Sequence, residues 1–321
     1  MAKIKIGVIG TGHLGRFHTK LLSTNDRAEL VGIFDIDPEK ARNVSAEFGV
    51  EVFPEMGDLM DKCDAVVIAS TTSTHKTITL EALRHGCHVL VEKPIAENVA
   101  DGTEMVEFAD EANRILMVGH VEHFNPAFNA ARRILERPSF VESHRLTIFR
   151  GRGADVSVVH DLLIHDLELL LALLGEEVVS LSASGSSILT KSPDIANVRI
   201  KFSGGCVANL TASRISLTNM RKMRFFQPGA YIGVDFGGSV EVATLVGLAM
   251  TPPESAEKFV LPGGEVIARW FEPVEEGNAL QIELDHFLSC IELGEEPLVS
   301  GKRGLAALRL AEKIVMEIEA N

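Results

Sequence analysis

Residues 3–35 read KIKIGVIGTGHLGRFHTKLLSTNDRAELVGIFD, which contains two strands and the helix between them. The first strand runs into Gly10-Thr11-Gly12-His13-Leu14-Gly15, a Gly-x-Gly-x-x-Gly pattern that opens the helix. Gly10 permits a tight turn, Gly12 lets backbone approach a pyrophosphate, and Gly15 lets the helix pack close to the strand. In this context the pattern predicts a dinucleotide site. The alternative is a glycine-rich turn that binds no ligand.

An acidic residue at the end of the second strand argues against that alternative. Asp35 lies twenty positions beyond Gly15, where a carboxylate accepts hydrogen bonds from the adenosine ribose and repels a 2′-phosphate. The next two residues, Ile36 and Asp37, supply no compensating cation. We therefore predict NAD rather than NADP, bound by Gly10, Gly12, His13, Leu14, Gly15 and Asp35.

The alternation of strand and helix continues to about residue 120. We expect strands at 3–9, 29–35, 65–69, 88–91 and 115–118, with helices near 14–23, 38–48, 75–85 and 98–113. Several of these strands are nearly continuous apolar runs, as expected when helices cover both faces of a sheet. The pattern predicts an α/β fold with a doubly wound parallel sheet.

After residue 120 the pattern changes. We expect a helix at 126–136, a strand at 140–149 and a helix near 157–174. A run of strands then extends from 178 to about 271, with strands at 178–188, 196–202, 206–214, 222–227, 230–235 and 239–245, and helices follow near 277–293 and 301–319. The strands are separated by Gly, Pro, Ser and Asn, which predicts a large, open, mostly antiparallel sheet. Residues 1–121 and 122–321 are thus expected to form two domains.

Charge and cysteine usage exclude several classes of function. The chain has 31 Lys and Arg against 45 Asp and Glu, a net charge of −14, which disfavours binding to nucleic acid or to an anionic membrane. No apolar stretch reaches the ~20 residues of a membrane span. The four cysteines are scattered, so no disulfide framework or thiolate metal site is expected. We expect a cytoplasmic protein.

Polar residues follow two strands of the predicted parallel sheet. Since ligands bind at the carboxyl ends of such strands, we expect the first group to contact the cofactor: Ser70, Thr71, Thr72 and His75. The second group, Glu92 and Lys93, is expected to contact the cofactor as well, and it precedes Pro94, which restricts the backbone of Lys93. A solvated lysine beside a turn is the alternative.

Asp161 and His165 are four apart on a predicted helix and share a face. A carboxylate beside an imidazole suits a general base. Simple complementation of the helix dipole is one alternative, and a metal site that includes His160 and Asp166 is another. His160 and His165 are five apart and lie on different faces, so we expect no metal.

Together these motifs resemble the Gfo/Idh/MocA family, named after glucose–fructose oxidoreductase and inositol dehydrogenase. The resemblance covers essentially the whole chain and extends to a stretch from Glu283 through Pro297 to Ala311. It implies a Rossmann domain that binds NAD and a second domain that binds substrate and forms the oligomer contact, with the C-terminal helix packing back on the first domain. The family's catalytic lysine, aspartate and histidine fall on Lys93, Asp161 and His165. Where the family usually has aspartate three positions later, this chain has Glu168.

Within the family, two segments are similar to bacterial UDP-N-acetylglucosamine 3-dehydrogenases: residues 119–126 (GHVEHFNP) and 221–227 (RKMRFFQ). These enzymes oxidise the sugar 3-hydroxyl to a ketone, and a partner aminotransferase then installs an amine for lipid A. The similarity implies that the substrate contacts comprise Lys93, His120, His123, Asn125, Asp161, His165, Arg221 and Arg224. Position 123 is more often arginine in those enzymes.

The resemblance implies alcohol oxidation, with Lys93 and His165 acting on one hydroxyl and either of them as the base. The alternatives are a dehydrogenase of another polyol or nucleotide sugar, such as an inositol or a UDP-hexuronate, and a non-catalytic NAD-binding sensor. A strand-rich domain with an exposed apolar face would aggregate unless it were buried. We therefore expect a homodimer or homotetramer.

Overall fold

The computed structural model describes residues 2–149, 156–175 and 177–320 of the chain. In its first part strands and helices alternate, in the order β1 (Ile4–Ile9), α1 (His13–Ser23), β2 (Ala28–Phe34), α2 (Pro38–Phe48), α3 (Met56–Met60), β3 (Ala65–Ile68), α4 (Thr72–Arg84), β4 (His88–Glu92), α5 (Val99–Glu111) and β5 (Leu116–Gly119). The strands form a parallel sheet in the order β2-β1-β3-β4-β5. The strand order therefore reverses between β1 and β3, which is the point where open α/β sheets bind dinucleotides.

Local sequence accounts for several of these elements. Asp37 caps α2 by accepting from the amides of Glu39 and Lys40, and Pro38 occupies the first helical turn. Every residue of β3 is buried, as the apolar run predicted. The short helix α3 was not predicted from the sequence, because five residues are too few to show a helical period.

The second part begins with α6 (Pro126–Ile134) and β6 (Phe140–Leu146) and continues through α7 (Ile164–Leu174) to a run of strands. These are β7 (Val178–Ser186), β8 (Ile195–Phe202), β9 (Val207–Ser213), β10 (Met220–Gln227), β11 (Ala230–Asp235), β12 (Ser239–Leu245), β13 (Glu257–Val260) and β14 (Val266–Glu272). The last helices are α8 (Ala279–Leu293) and α9 (Gly301–Ala320).

Nine of these strands form one mixed sheet, in the order β13-β14-β12-β11-β10-β6-β9-β8-β7. The β6–β9 pair is parallel and the other neighbouring pairs are antiparallel. In β8 the residues alternate between buried and exposed positions, so one face of the sheet is covered and the other is open. The predicted fold class, a parallel doubly wound sheet followed by a large, mostly antiparallel one, is confirmed.

The chain divides into two compact units. The first contains the residues up to Val121 together with Leu280–Arg309, and the second contains Glu122–Ala279 together with the segment from Leu310 onward. Within the first unit α8 lies beside the turn after α1, where Asn25 Nδ2 donates to Asp285 at 2.8 Å and Arg27 Nη2 donates to Ser289 at 3.0 Å. No helix among the described residues is long and apolar enough to cross a membrane.

Candidate active site

The turn after β1 leaves room for a ligand. Gly10 has a φ of +90°, and a Cβ there would lie 2.7 Å from the carbonyl carbon of Ala69, so glycine is required. At Gly12 a Cβ would meet nothing within 4 Å. No side chain among the described residues caps the start of α1, and its first amides are therefore available to a pyrophosphate. His13 and Leu14 project outward at this helix end.

A cavity of about 590 Å³ borders the turn. Its polar and glycine lining includes Gly10, Gly12, Asp35, Lys40, Ser70, Thr71, Ser73 and Thr74. The carboxylate of Asp35 accepts from the amide and hydroxyl of Thr11, at 2.6 and 2.9 Å, and from the amide of Asp37 at 2.9 Å. Because an ionised carboxylate has about four acceptor positions, one remains for a ribose hydroxyl. The glycine turn, the cavity and Asp35 together fit a dinucleotide.

Lys40 is a cavity residue that the sequence reasoning missed. It lies five positions beyond Asp35, in the first turn of α2, and its ammonium lies 3.5 Å from Asp37. The sequence prediction took only Ile36 and Asp37 as possible sources of a compensating cation. Because Pro38 opens a helix, Lys40 lies within one helical turn of Asp37, and this spacing is the signal that would have identified it.

Only some residues of the polar loop after β3 line the cavity. The helix that follows begins at Thr72, three residues earlier than predicted, and Thr71 occupies the N-cap position. Thr74 lies in the first turn and donates to Thr71 O at 2.8 Å. His75 is buried and does not line the cavity; its ring nitrogens face Pro94 O at 3.0 Å and Ser70 O at 3.3 Å. Burial lowers the pKa of His75, although the two carbonyls oppose this shift.

Lys93 follows directly after β4, and the Lys93–Pro94 bond is cis. Glu92 is buried and its Oε1 lies 2.7 Å from His18 Nε2. Since His75 faces Pro94 O, both neighbours of Lys93 contact a buried histidine. His18 was not among the predicted site residues.

Asp161 and His165 lie on either side of a change in helix type. Residues Val159–Leu163 form a π-helical turn that leads into α7, whereas a single regular helix was predicted. Such turns occur frequently at functional sites. Both side chains are half-buried. His160 lies on the same turn, and burial lowers its pKa.

A buried ion network anchors α7. Asp166 Oδ1 accepts from Arg145 Nε at 2.9 Å and Nη2 at 2.6 Å, and Asp166 Oδ2 accepts from Ser143 at 2.8 Å. Arg145 Nη1 also donates to Glu122 Oε1 at 2.8 Å. Burial would lower the pKa of Arg145, but Asp166 and Glu122 raise it above its usual value. Asp166, which was weighed as a metal ligand, is therefore tied to the sheet.

A second buried contact holds the same helix. His123 Nδ1 lies 3.0 Å from Glu168 Oε1, and both residues are buried. Asn125 caps α6 and donates to Glu122 and to Phe236 O, and His120 is buried as well. Three of the predicted substrate contacts, His120, His123 and Asn125, are thus in the interior.

Arg221 and Arg224 do not lie together. They are three apart on β10, and side chains alternate between the faces of a strand, so they lie on opposite faces of the sheet. Arg221 Nη1 donates to Glu122 Oε1 at 3.0 Å on the covered face. Arg224 lies 3.7 Å from Glu142, its cross-strand neighbour, on the open face. The period of two would have separated them from the sequence alone.

A doubly wound sheet with this glycine turn, this acidic residue and a cavity between them defines a dinucleotide-binding protein. Residues 4–120 match the oxidoreductase family, NAD-binding Rossmann fold, and residues 128–226 match the GFO/IDH/MocA C-terminal domain. The chain belongs to the GFO/IDH/MocA family of oxidoreductases, and its cofactor is NAD. The predicted family and cofactor are confirmed.

Known members of the family resemble the whole chain. The UDP-N-acetylglucosamine 3-dehydrogenase of Acidithiobacillus ferrooxidans is 33% identical over 321 residues, covering 100% of this chain and 99% of the relative. A solved structure of that enzyme, GnnA, superposes with a TM-score of 0.90 at 31% identity, covering 100% of this chain and 99% of that one. The myo-inositol 2-dehydrogenase of Thermotoga maritima is 27% identical, covering 96% of this chain and 94% of the relative.

Proposed function

We propose that the chain oxidises the 3-hydroxyl of a UDP-N-acetylhexosamine to a ketone. The observation that carries this proposal is the full-length similarity to a UDP-N-acetylglucosamine 3-dehydrogenase. The cation Lys93 and the pair Asp161 and His165 supply the functional groups that such an oxidation needs. A non-catalytic NAD sensor would need the glycine turn and Asp35 but neither of these groups.

Bound NAD supplies the hydride acceptor for this chemistry. In the proposed mechanism His165 accepts the hydroxyl proton and Asp161 orients the imidazole. Lys93 stabilises the negative charge that develops on the oxygen, an effect that is stronger where water is excluded. The chain is restricted on both sides of Lys93. Pro94 limits the backbone of the residue before it, His75 contacts Pro94 O, and His18 contacts Glu92.

Arg221 is the proposed contact for the diphosphate of the nucleotide sugar. Its side chain is 47% exposed while one nitrogen remains bonded to Glu122, so the guanidinium has donors left for an anion. Arg224 lies on the open face of the sheet and has no place in this contact.

The experiment is a panel of UDP-sugars and free polyols with NAD, followed by the absorbance of the reduced cofactor. We expect oxidation of UDP-N-acetylglucosamine, with myo-inositol as the competing substrate because of the similarity to inositol dehydrogenases. Lys93→Ala and His165→Ala should each lower kcat by about 10²–10⁴-fold. Their losses should not add in the double variant, because both act on one hydroxyl.

The matched control for Lys93→Ala is Lys302→Ala, which removes a surface lysine paired with Asp110 at 2.9 Å in the same unit. That variant should keep full activity. An active Lys93→Ala enzyme, or strictly additive losses, would contradict the proposed mechanism.

We further propose a cytoplasmic homodimer or homotetramer joined through the open face of the nine-stranded sheet. This face carries Phe226, in ring contact with Phe140 and Tyr231, and Phe271, which is 64% exposed. Sedimentation that gives a monomer at every concentration would contradict this assembly. We also propose that a partner aminotransferase uses the 3-keto product and that the reaction serves lipid A biosynthesis, a role supported by the similarity to a UDP-N-acetylglucosamine 3-dehydrogenase.

A further inference from the structure

The end of β4, directly before Lys93, contacts a cluster of three buried groups. His18 Nε2 lies 2.7 Å from Glu92 Oε1. Ligand atoms of His18, Glu92 and Glu283 all lie within 4.8 Å of one another, and all three residues are buried. The two carboxylates come from β4 and α8, and the imidazole comes from α1.

The chemistry of the cluster explains why a histidine is present. Two buried carboxylates this close repel each other unless a positive charge or a hydrogen-bond donor lies beside them. The imidazole of His18 supplies that donor to Glu92. Glycine at position 119 leaves room for the Glu92 side chain, because a Cβ on Gly119 would lie 3.0 Å from Glu92 Oε2.

The cluster lies next to Lys93, the proposed catalytic lysine. His18 lies on the helix that opens at the glycine turn, and Glu92 immediately precedes Lys93. We propose that His18, Glu92 and Glu283 are positioning residues that fix the direction in which Lys93 leaves β4 relative to the glycine turn. The inference rests on the proposed role of Lys93. None of the three groups is proposed to touch substrate.

The first test needs no turnover. Lysines of the NAD-free protein are converted to ¹³C-dimethyl-lysine, and the Lys93 resonance is assigned by its loss in Lys93→Arg. We expect Glu283→Leu and His18→Leu to move or broaden this resonance. The matched control is His88→Gln, which alters a histidine at the amino end of the same strand, where His88 Nδ1 accepts from Ile115 N at 3.0 Å. That variant should leave the Lys93 resonance in place.

The second test separates binding from chemistry. A displaced catalytic group can cost about 10²-fold, so Glu283→Leu and His18→Leu should lower kcat by about that factor while the Kd for NAD stays within about twofold of wild type. His18→Gln keeps a donor near the Nε2 position, and it should restore most of the lost kcat. A purely structural role would instead lower the melting temperature without a selective loss of kcat and without rescue by glutamine.

If the leucine variants do not fold, Glu283→Gln replaces them, because it keeps the shape of the side chain and removes its charge. It should move the Lys93 resonance and lower kcat by less than the about 10²-fold expected for the leucine variants, because the shape of the side chain is kept. An unchanged resonance and an unchanged kcat in a folded Glu283 variant would overturn the inference. If the wild-type protein oxidises no member of the substrate panel, the proposed function fails, whereas the resonance measurement still tests the positioning.

Discussion

Arg145→Met is expected to be among the most destabilising single changes in the second unit. The Arg145 side chain is 4% exposed, and it donates to Glu122 at 2.8 Å and to Asp166 at 2.6 and 2.9 Å. Its guanidinium also lies 5.2 Å from the centroid of the Phe236 ring. Methionine fills much of the same volume but leaves the buried carboxylate of Asp166 without its cation, and it leaves Glu122 paired only with the half-exposed Arg221.

The magnitude follows from burial. Removing one partner of a buried ion pair costs about 3–5 kcal/mol, whereas an exposed pair contributes about 0–1 kcal/mol. For a domain of 150–250 residues each kcal/mol shifts Tm by about 2–4 °C. Arg145→Met should therefore lower the Tm of the second unit by about 6–20 °C.

The chain offers a matched control for this change. Arg221 donates to the same oxygen, Glu122 Oε1, at 3.0 Å, but its side chain is 47% exposed. Arg221→Met should therefore lower Tm by at most about 4 °C. The comparison holds the acceptor constant and changes the burial of the donor.

Calorimetry at pH 7 measures the Tm of both variants against wild type. Adding Asp166→Asn to Arg145→Met should recover part of the loss, since one unpaired carboxylate is removed. If Arg145→Met and Arg221→Met cost the same, burial does not set the strength of this network and the reasoning is wrong.

Two further predictions concern the cofactor and acid stability. Asp35→Ser combined with Ile36→Arg should raise the ratio of kcat/KM for NADP to that for NAD by about 10–10²-fold, since a repelling carboxylate is replaced by a charge-assisted contact; a wild-type enzyme that prefers NADP would contradict the role of Asp35. Burial raises the pKa of Asp194, but hydrogen bonds from the amides of Leu189, Thr190 and Ile188 outweigh it, and the pKa is lowered overall. A lowered folded-state pKa stabilises the protein above the unfolded value of about 3.9, and this stabilisation is lost as the pH falls further. The Tm difference between wild type and Asp194→Asn should thus be full at pH 7 and shrink below about pH 4; a constant difference would refute the assignment.

The sheet of the first unit and its glycine turn were predictable because their determinants are close in sequence. A strand, a turn and a helix follow one another within residues 3–23, and Asp35 lies one strand further on. The parallel order then follows from the alternation of strand and helix. The same local logic gave bounds for no strand beyond residue 245 and so missed both β13 and β14; the four residues of β13 are all exposed and show no alternation.

The cluster around Lys93 was not predictable in this way. His18 and Glu92 are 74 positions apart and are joined by a hydrogen bond of 2.7 Å, and Glu283 lies on a helix that returns to the first unit from the far end of the chain. No periodicity relates positions at such separations. His123 and Asn125 were expected to contact substrate because of the resemblance to UDP-N-acetylglucosamine 3-dehydrogenases, and the sequence contains no sign that both are buried, His123 beside Glu168 and Asn125 as the cap of α6.

The contact between His123 and Glu168 limits how far α7 can shift. The two residues lie 3.0 Å apart and both are buried. Asp166, two positions earlier on the same helix, is bonded to the buried Arg145 at 2.6 Å. A rotation of α7 about its axis, or a slide along it, would break these contacts, and each buried group left without its partner costs about 1–3 kcal/mol. The backbone at His165, which immediately precedes Asp166, is therefore held in one position by contacts made further along the helix.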